Sequence, residues 1–437
     1  MSNNLSRRNF ILSMAILAFM YFIFGFVSWV NSILIPYFKI ICELNEFWAY
    51  FVNFALYIAY LVMSVPAGFL LKKIGFKRGI MIGFFILALG ALIFVPSAMT
   101  RIYVVFLVGL FTMGTGLAIL QTAANPYVTI IGPIDRTVQR MSIVGVFNKF
   151  AGVVSPLIFA AVILKASDAD LFKALPDMSE IAKNAALDEL TRRMMIPYAC
   201  LAALLFGFGL LIRYSVLPEI NTEDESKEVK ESHGGKTNVL QFPYLILGFI
   251  ALFMHVGTHN IAITTIISYA QSFGLNLLEA KVFAPFTLTA TMIGYFIGMV
   301  CVPRFLSQSN TLKVCTITGL ILSACILFIP GQTMFKGHEL SISIWFVALL
   351  GLPNSLIYAG IWPLAIRNLG RFTKIGSSIL VMGLCGNAIL PLLYGYYANV
   401  IDTRTAYWVL LPGYVYLVFY ALYGYKITSW TKIKKIK

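Results

Sequence analysis

Long, uninterrupted apolar runs separated by short polar connections occupy almost the whole of this chain. Runs such as 79–95 and 196–212 show no period of two, whereas strands of a membrane barrel alternate apolar and polar residues over about 10 positions. Lipid offers no partner for free backbone groups, so a chain crosses it only as helices or as a closed barrel. A spanning helix needs about 20 mostly apolar residues. The pattern therefore predicts twelve such helices, at 10–38, 47–73, 78–98, 102–131, 139–165 and 193–217, then at 242–273, 279–305, 311–330, 340–368, 373–400 and 405–427. The most hydrophilic stretch, 218–232, separates the two sets, and a second polar insertion at 166–190 reads as an excursion outside the membrane. The expected organisation is a six-helix half at 1–217, a linker at 218–241, a second six-helix half at 242–427 and a basic tail at 428–437.

Composition agrees. Of the 437 residues 59% are hydrophobic and only 12% charged, and the mean hydropathy is +0.84; soluble domains are near half apolar and about a quarter charged. The start, Arg7-Arg8 and an apolar run, has the outline of a signal peptide, but the run is too long and no convincing small-residue cleavage site follows. The six cysteines are scattered with no metal-binding or redox spacing and read as small apolar residues.

The net charge of +15 is a topology signal. Lys and Arg on one set of alternate connections and both ends outnumber those on the other set by about two to one. That bias places both termini in the cytoplasm, with the tail LysIleLysLysIleLys against anionic headgroups. The eighteen acids all sort to the connections. The only ionisable groups expected deep in spans are Lys149, His255 and His259, and such groups mark functional sites by default.

Uncharged polar residues cluster by helix face. Asn31 and Ser32 stand in the first span near Ser28, and Gln121 and Asn125 share a face of the fourth. Asn354, Tyr358 and Trp362 make one stripe on the tenth; Asn148 and Asn387 complete the set. Amides donate and accept together, which suits vicinal hydroxyls, and an indole such as Trp362 suits the apolar face of a pyranose. The alternative is that these residues bond helix to helix. No paired acid and base or metal-ligand set lies in the spans, so an intramembrane enzyme is not expected. A weak repeat pairs AsnPro at 125–126, Gly132, Arg136 and SerPro at 155–156 with TrpPro at 362–363, Gly370, Arg371 and LeuPro at 390–391.

At these residues a family resemblance emerges. GlnThrAlaAlaAsnProTyrVal at 121–128, with Gly132-Pro133, resembles the signature of the fucose–galactose–glucose symporter family of the major facilitator superfamily. AsnSerIleLeuIlePro at 31–36 resembles its first-span motif; ProLeuAlaIle at 363–366 and LeuGlyArgPheThrLysIleGlySerSer at 369–378 resemble its glucose/galactose branch. Gly68 with LysLysIleGlyPheLysArg at 72–78 resembles the superfamily's cytoplasmic loop, with Lys72 where an acid is usual. The resemblance implies an all-α integral membrane protein of twelve helices in two six-helix pseudo-repeats, the major facilitator fold, moving a hexose of glucose/galactose type by alternating access. It also exposes departures. Fucose–proton members carry aspartate where Ser32 stands and glutamate where Gln121 stands, some relatives carry glutamate where His259 aligns, and Lys149 occupies an often small polar position.

The expected substrate lining is Asn31, Ser32, Gln121, Asn125, Asn148, His259, Asn354, Tyr358, Trp362 and Asn387, with Lys149, His255 and His259 as coupling or charge-bearing groups. Three couplings stay open: Lys149 as a tethered substitute for a driving cation in a facilitator, His259 as a proton carrier, or Na+ held by neutral oxygens. The lack of an intramembrane carboxylate ranks the facilitator and Na+ above proton symport. An L-fucose-type proton symporter and a non-transporting membrane sugar sensor are the other readings. Expected partners are a small-molecule sugar and the lipid bilayer of the inner membrane, with no nucleic acid, no metal site, no cofactor beyond Na+ as a coupling ion, and a monomer sufficing.

Overall fold

The computed structural model describes residues 7–131, 137–165, 167–215, 238–302, 304–367, 369 and 372–430. Among them twelve helical stretches are long and apolar enough to cross a membrane. The first six are Arg8–Ile41, Phe51–Leu71, Phe76–Thr100, Tyr103–Asn125, Gln139–Ile163 and Glu180–Tyr214. The second six are Pro243–Gln271, Leu277–Cys301, Gln308–Phe328, Ser343–Ile366, Ile375–Val400 and Thr405–Lys426. Most of the linker (216–237), the repeat residues Gly132, Arg136, Gly370 and Arg371, and the end of the tail (431–437) lie outside the described residues.

Connections after odd-numbered spans lie on one side of the bundle, here the insertion side; the other is the termini side. On the insertion side the 166–190 segment forms two short helices, Asp168–Ala174 and Glu180–Arg192. Buried Asp168 receives Arg193 Nη1 on both carboxylate oxygens, at 3.0 and 2.8 Å. Arg101 meets Asp188 at 3.0 Å and Lys183 pairs with Glu43, so three connections are tied together. The tenth span, expected from 340, begins instead at Ser343, because the preceding residues form a hairpin. Its strands β1 (Gln332–Phe335) and β2 (His338–Ser341) are antiparallel. The turn residues Lys336 and Gly337 both take positive φ, +49° and +83°, the twist a two-residue hairpin requires.

Within the bundle, spans one to six pack mainly on one another, as do seven to twelve; span two meets eleven, five meets eight, and one meets seven across the divide. Small residues permit the tightest crossings. A Cβ on Gly25 would stand 2.0 Å from the Asn148 carbonyl oxygen, and one on Gly386 2.0 Å from that of Phe253. Exposed apolar side chains such as Leu204, Leu211, Val300 and Phe328 cover the outer surface, where lipid replaces water.

Helices facing the interior are interrupted. The first span breaks between Trp29 and Asn31, the seventh between Thr264 and Ile266, and the tenth between Leu349 and Gly351. The eleventh contains a 3-10 turn at Gly383–Cys385. Irregular backbone at membrane depth is tolerated where it is buried in protein or lines a cavity.

Candidate functional site

A cavity of about 140 Å³ lies where eight spans converge, lined from spans one, two, four, five, seven, eight, ten and eleven. Among the described residues, spans three, six, nine and twelve contribute none of its lining and pack outside the ring. On the insertion side the cavity stops one turn short of a polar seal. Asn53 Nδ2 donates to Asn260 Oδ1 at 3.2 Å and to Thr264 Oγ1 at 3.3 Å. Tyr50 packs edge-on against Tyr394, with centroids 5.8 Å apart. Toward the termini side the lining continues down span five to Met141.

The wall from spans one, four and five is built of amides held by aromatic hydroxyls and an indole. Tyr60 OH accepts from Gln121 Nε2 at 2.8 Å. Asn125 accepts from Tyr21 OH and donates to Tyr358 OH at 3.4 Å, so spans one, four and ten meet at one side chain. Asn148 Oδ1 accepts from Trp29 Nε1 at 3.1 Å, while its Nδ2 donates to the Tyr21 carbonyl at 3.1 Å. Fixed amides of this kind present their remaining donor and acceptor capacity in set directions.

At the centre stands Lys149, 6% exposed. Its Nζ lies 3.1 Å from His259 Nε2, linking spans five and seven, and 3.8 Å from the centroid of the Trp29 ring. His259 meets that ring edge-on at 5.5 Å and stacks over His255 at 5.9 Å. The Nδ1 atoms of both histidines are buried without a hydrogen-bond partner. No carboxylate lines the cavity among the described residues, nor do three His, Cys, Asp or Glu side chains gather into a metal-binding group.

Gln121, Asn125, Asn148, Lys149, His255, His259, Asn354, Tyr358 and Asn387 therefore come together in one cavity. Trp362 does not reach it: the ring is 3% exposed and stacks behind Tyr358, centroids 5.7 Å apart. Asn31 opens the second helix of span one, but its side chain and that of Ser32 lie outside the described residues. Leu384 in the 3-10 turn of span eleven and Asn387 at the start of the helix that follows it line the same wall.

Sequence reasoning missed the aromatic part of the wall: Tyr21, Trp29, Tyr57, Tyr60 and Tyr295. One signal was available. Asn53, Tyr57, Tyr60 and Ser64 follow a helical face along span two, and all four are buried.

Comparison with known proteins places this arrangement. The chain is 32% identical to a glucose/galactose transporter of Brucella abortus over 425 residues, 96% of each chain. It is 30% identical to the L-fucose-proton symporter of Escherichia coli, over 90% of this chain and 88% of that one. The crystal structure of FucP in the outward conformation superposes with a TM-score of 0.73 at 26% identity, covering 95% of this chain and 99% of that one. The profile of the Major Facilitator Superfamily matches residues 17–386. With twelve spans, a central cavity walled by eight of them, and that match along most of its length, the chain belongs to the Major Facilitator Superfamily.

Proposed function

We propose that this protein carries a hexose of glucose/galactose type across the cytoplasmic membrane by alternating access. The observation that carries the reading is the cavity wall, in which Gln121, Asn125, Asn148, Asn354 and Asn387 are set among tyrosines and one indole. Amides can meet several hydroxyls at once, and an aromatic face can lie against the apolar side of a sugar ring. The similarity to the Brucella glucose/galactose transporter supports the same class of substrate. In place of Trp362, the ring platforms are Trp29 and the stacked pair Tyr57 and Tyr60.

The site serves as the shared midpoint of two six-helix halves, 1–217 and 242–427, joined by the linker at 218–241. The excess of Lys and Arg on the termini side puts both termini in the cytoplasm. The Asn53 contacts close the cavity on the insertion side, as one step of such a cycle requires. A monomer contains every group the cycle needs.

Coupling follows from charge. A proton symporter of the carboxylate type needs an acid at the site, and the lining has none among the described residues. Lys149 stands in the cavity instead, which suits facilitated diffusion; the Na+ reading needs an ion held by neutral oxygens clear of that amine. The second reading, an L-fucose-type proton symporter, is favoured by the 30% identity to that protein from Escherichia coli. Reconstitution in proteoliposomes separates these. Counterflow of glucose or galactose without any ion gradient is expected; accumulation driven only by Na+ establishes symport, and accumulation driven only by a proton gradient overturns the coupling argument. Binding without exchange would make the protein a sensor.

A further inference from the structure

The charge of the cavity is one-sided. Lys149 is 6% exposed and lines the space together with His255 and His259, which are 2% and 6% exposed. Eleven of the eighteen acids are described, and all eleven sit on the insertion side, away from the lining. Asp168, which is buried, is taken by Arg193. Among the described residues the Lys149 amine is met by a histidine nitrogen and the face of an indole, and by no carboxylate. Neither the histidine nor the indole is a counter-charge, and burial disfavours a charged amine that has none, so an anion in the cavity is what would stabilise it. His255, His259 and Asn354 line the same cavity, and His255 Nδ1, His259 Nδ1 and the Asn354 amide nitrogen are buried without partners. A neutral sugar would add hydroxyl contacts and leave the ammonium without a counter-charge.

The geometry points to a monosaccharide acid as the preferred substrate: a hexose-sized ring carrying a carboxylate, with the hexuronates as the chemical class. This rests on the reading of the cavity as a sugar site and narrows it. The carboxylate pairs with Lys149 and accepts from whichever of His255 and His259 carries the ring proton facing it. Charge-assisted bonds of this kind are shorter and roughly twice as strong as neutral ones. The ring hydroxyls reach the amide wall of Gln121, Asn148 and Asn387. Lys149 and the bound carboxylate then cancel, so the loaded site is neutral without a cation from solution. Uptake of the acid sugar is accordingly independent of Na+.

The test compares acid with ester. Purified full-length protein is titrated at neutral pH with glucuronate, galacturonate, their methyl esters, glucose and galactose, following the shift in melting temperature, and each sugar is assayed in counterflow. A methyl ester keeps the shape and removes the charge. The acids should bind roughly tenfold to a hundredfold tighter than their esters. Lys149→Gln should bring acid and ester to equal affinity, and Lys149→Arg should keep the preference. Equal binding of acid and ester by the unaltered protein overturns the proposal, as does a preference that survives in Lys149→Gln. Should Lys149→Gln fail to fold, the acid–ester comparison on the unaltered protein decides alone. Exchange of neutral hexoses with no preference for acids refutes this inference and leaves the transport reading intact; exchange of no sugar refutes both.

Discussion

The seal on the insertion side offers a quantitative handle on the transport cycle. Asn53, Asn260 and Thr264 are each no more than 1% exposed, and the two bonds from Asn53 Nδ2 join span two to span seven across the divide. Asn53→Ala removes both. Side-chain hydrogen bonds between membrane helices average about 0.6 kcal/mol each, so the pair is worth about 1.2 kcal/mol. That corresponds to roughly an eightfold shift in the ratio of closed to open forms on this side. The truncation also leaves a void at the seam, which pushes in the same direction. The readout is a cysteine at Ser28, a lining position 7% exposed, in a background lacking the six native cysteines. A membrane-impermeant maleimide added on the insertion side reaches it only in the open form. While the open form is minor, the labelling rate follows its population, so Asn53→Ala should label several-fold faster. Thr264→Val on top of Asn53→Ala should add less than it does alone, because the two share a bond. A folded Asn53→Ala protein that labels at the original rate, or more slowly, refutes the assignment of this layer as a gate.

Other perturbations test other parts of the structure. Arg193→Met strands buried Asp168, which loses bonds of 3.0 and 2.8 Å; breaking such a pair costs about 3 kcal/mol, seen as a lower melting temperature that Asp168→Asn in the same chain partly restores. Gly386→Ala should lower the melting temperature because its Cβ would stand 2.0 Å from the Phe253 oxygen, whereas Gly207→Ala, with nothing within 4 Å, should be neutral or stabilising. Trp29→Leu removes the indole that holds Asn148 and faces Lys149; it should weaken sugar binding by about tenfold and also lower the melting temperature, because the ring is buried. At the turn between spans eleven and twelve, burial pushes the Asp402 carboxyl up, but hydrogen bonds from Thr405 and Arg404 outweigh it and hold the group below its ordinary value. Its contribution to stability is therefore present at neutral pH and lost only as pH falls through the lowered folded value; Asp402→Asn should lower the melting temperature at pH 7, and the difference should shrink as pH drops below the ordinary carboxylate range.

The spans were legible because a run of about 20 apolar residues is a one-dimensional signal that tertiary packing does not alter. The hairpin at 332–341 was not, since a Lys-Gly turn lacks the Asn-Gly or Asp-Gly marker of such turns. The amide wall stood out because a polar side chain in a lipid-spanning run is anomalous. The aromatic wall did not, because Tyr57 and Tyr60 are two of 57 phenylalanines and tyrosines. Trp362 shows the limit of a face read by fours. Successive steps of four residues advance about 40° round a helix of 3.6 residues per turn, so eight residues from Asn354 the indole has turned by about 80° and leaves the cavity to Tyr358. Lys149 shows the limit in the other direction. Its charge was evident from its identity, and so was the lack of an acid to meet it. That its neighbours are a histidine 110 positions away and an indole from the first span depends on how spans one, five and seven converge. A fixed charge between helices would be an ordinary structural lock if it met a carboxylate there. Facing a cavity walled by amides with no carboxylate among the described residues, it leaves a counter-charge to be supplied by what enters the cavity. That is why the acid–ester comparison bears on the charge of the cargo separately from its hydroxyl pattern.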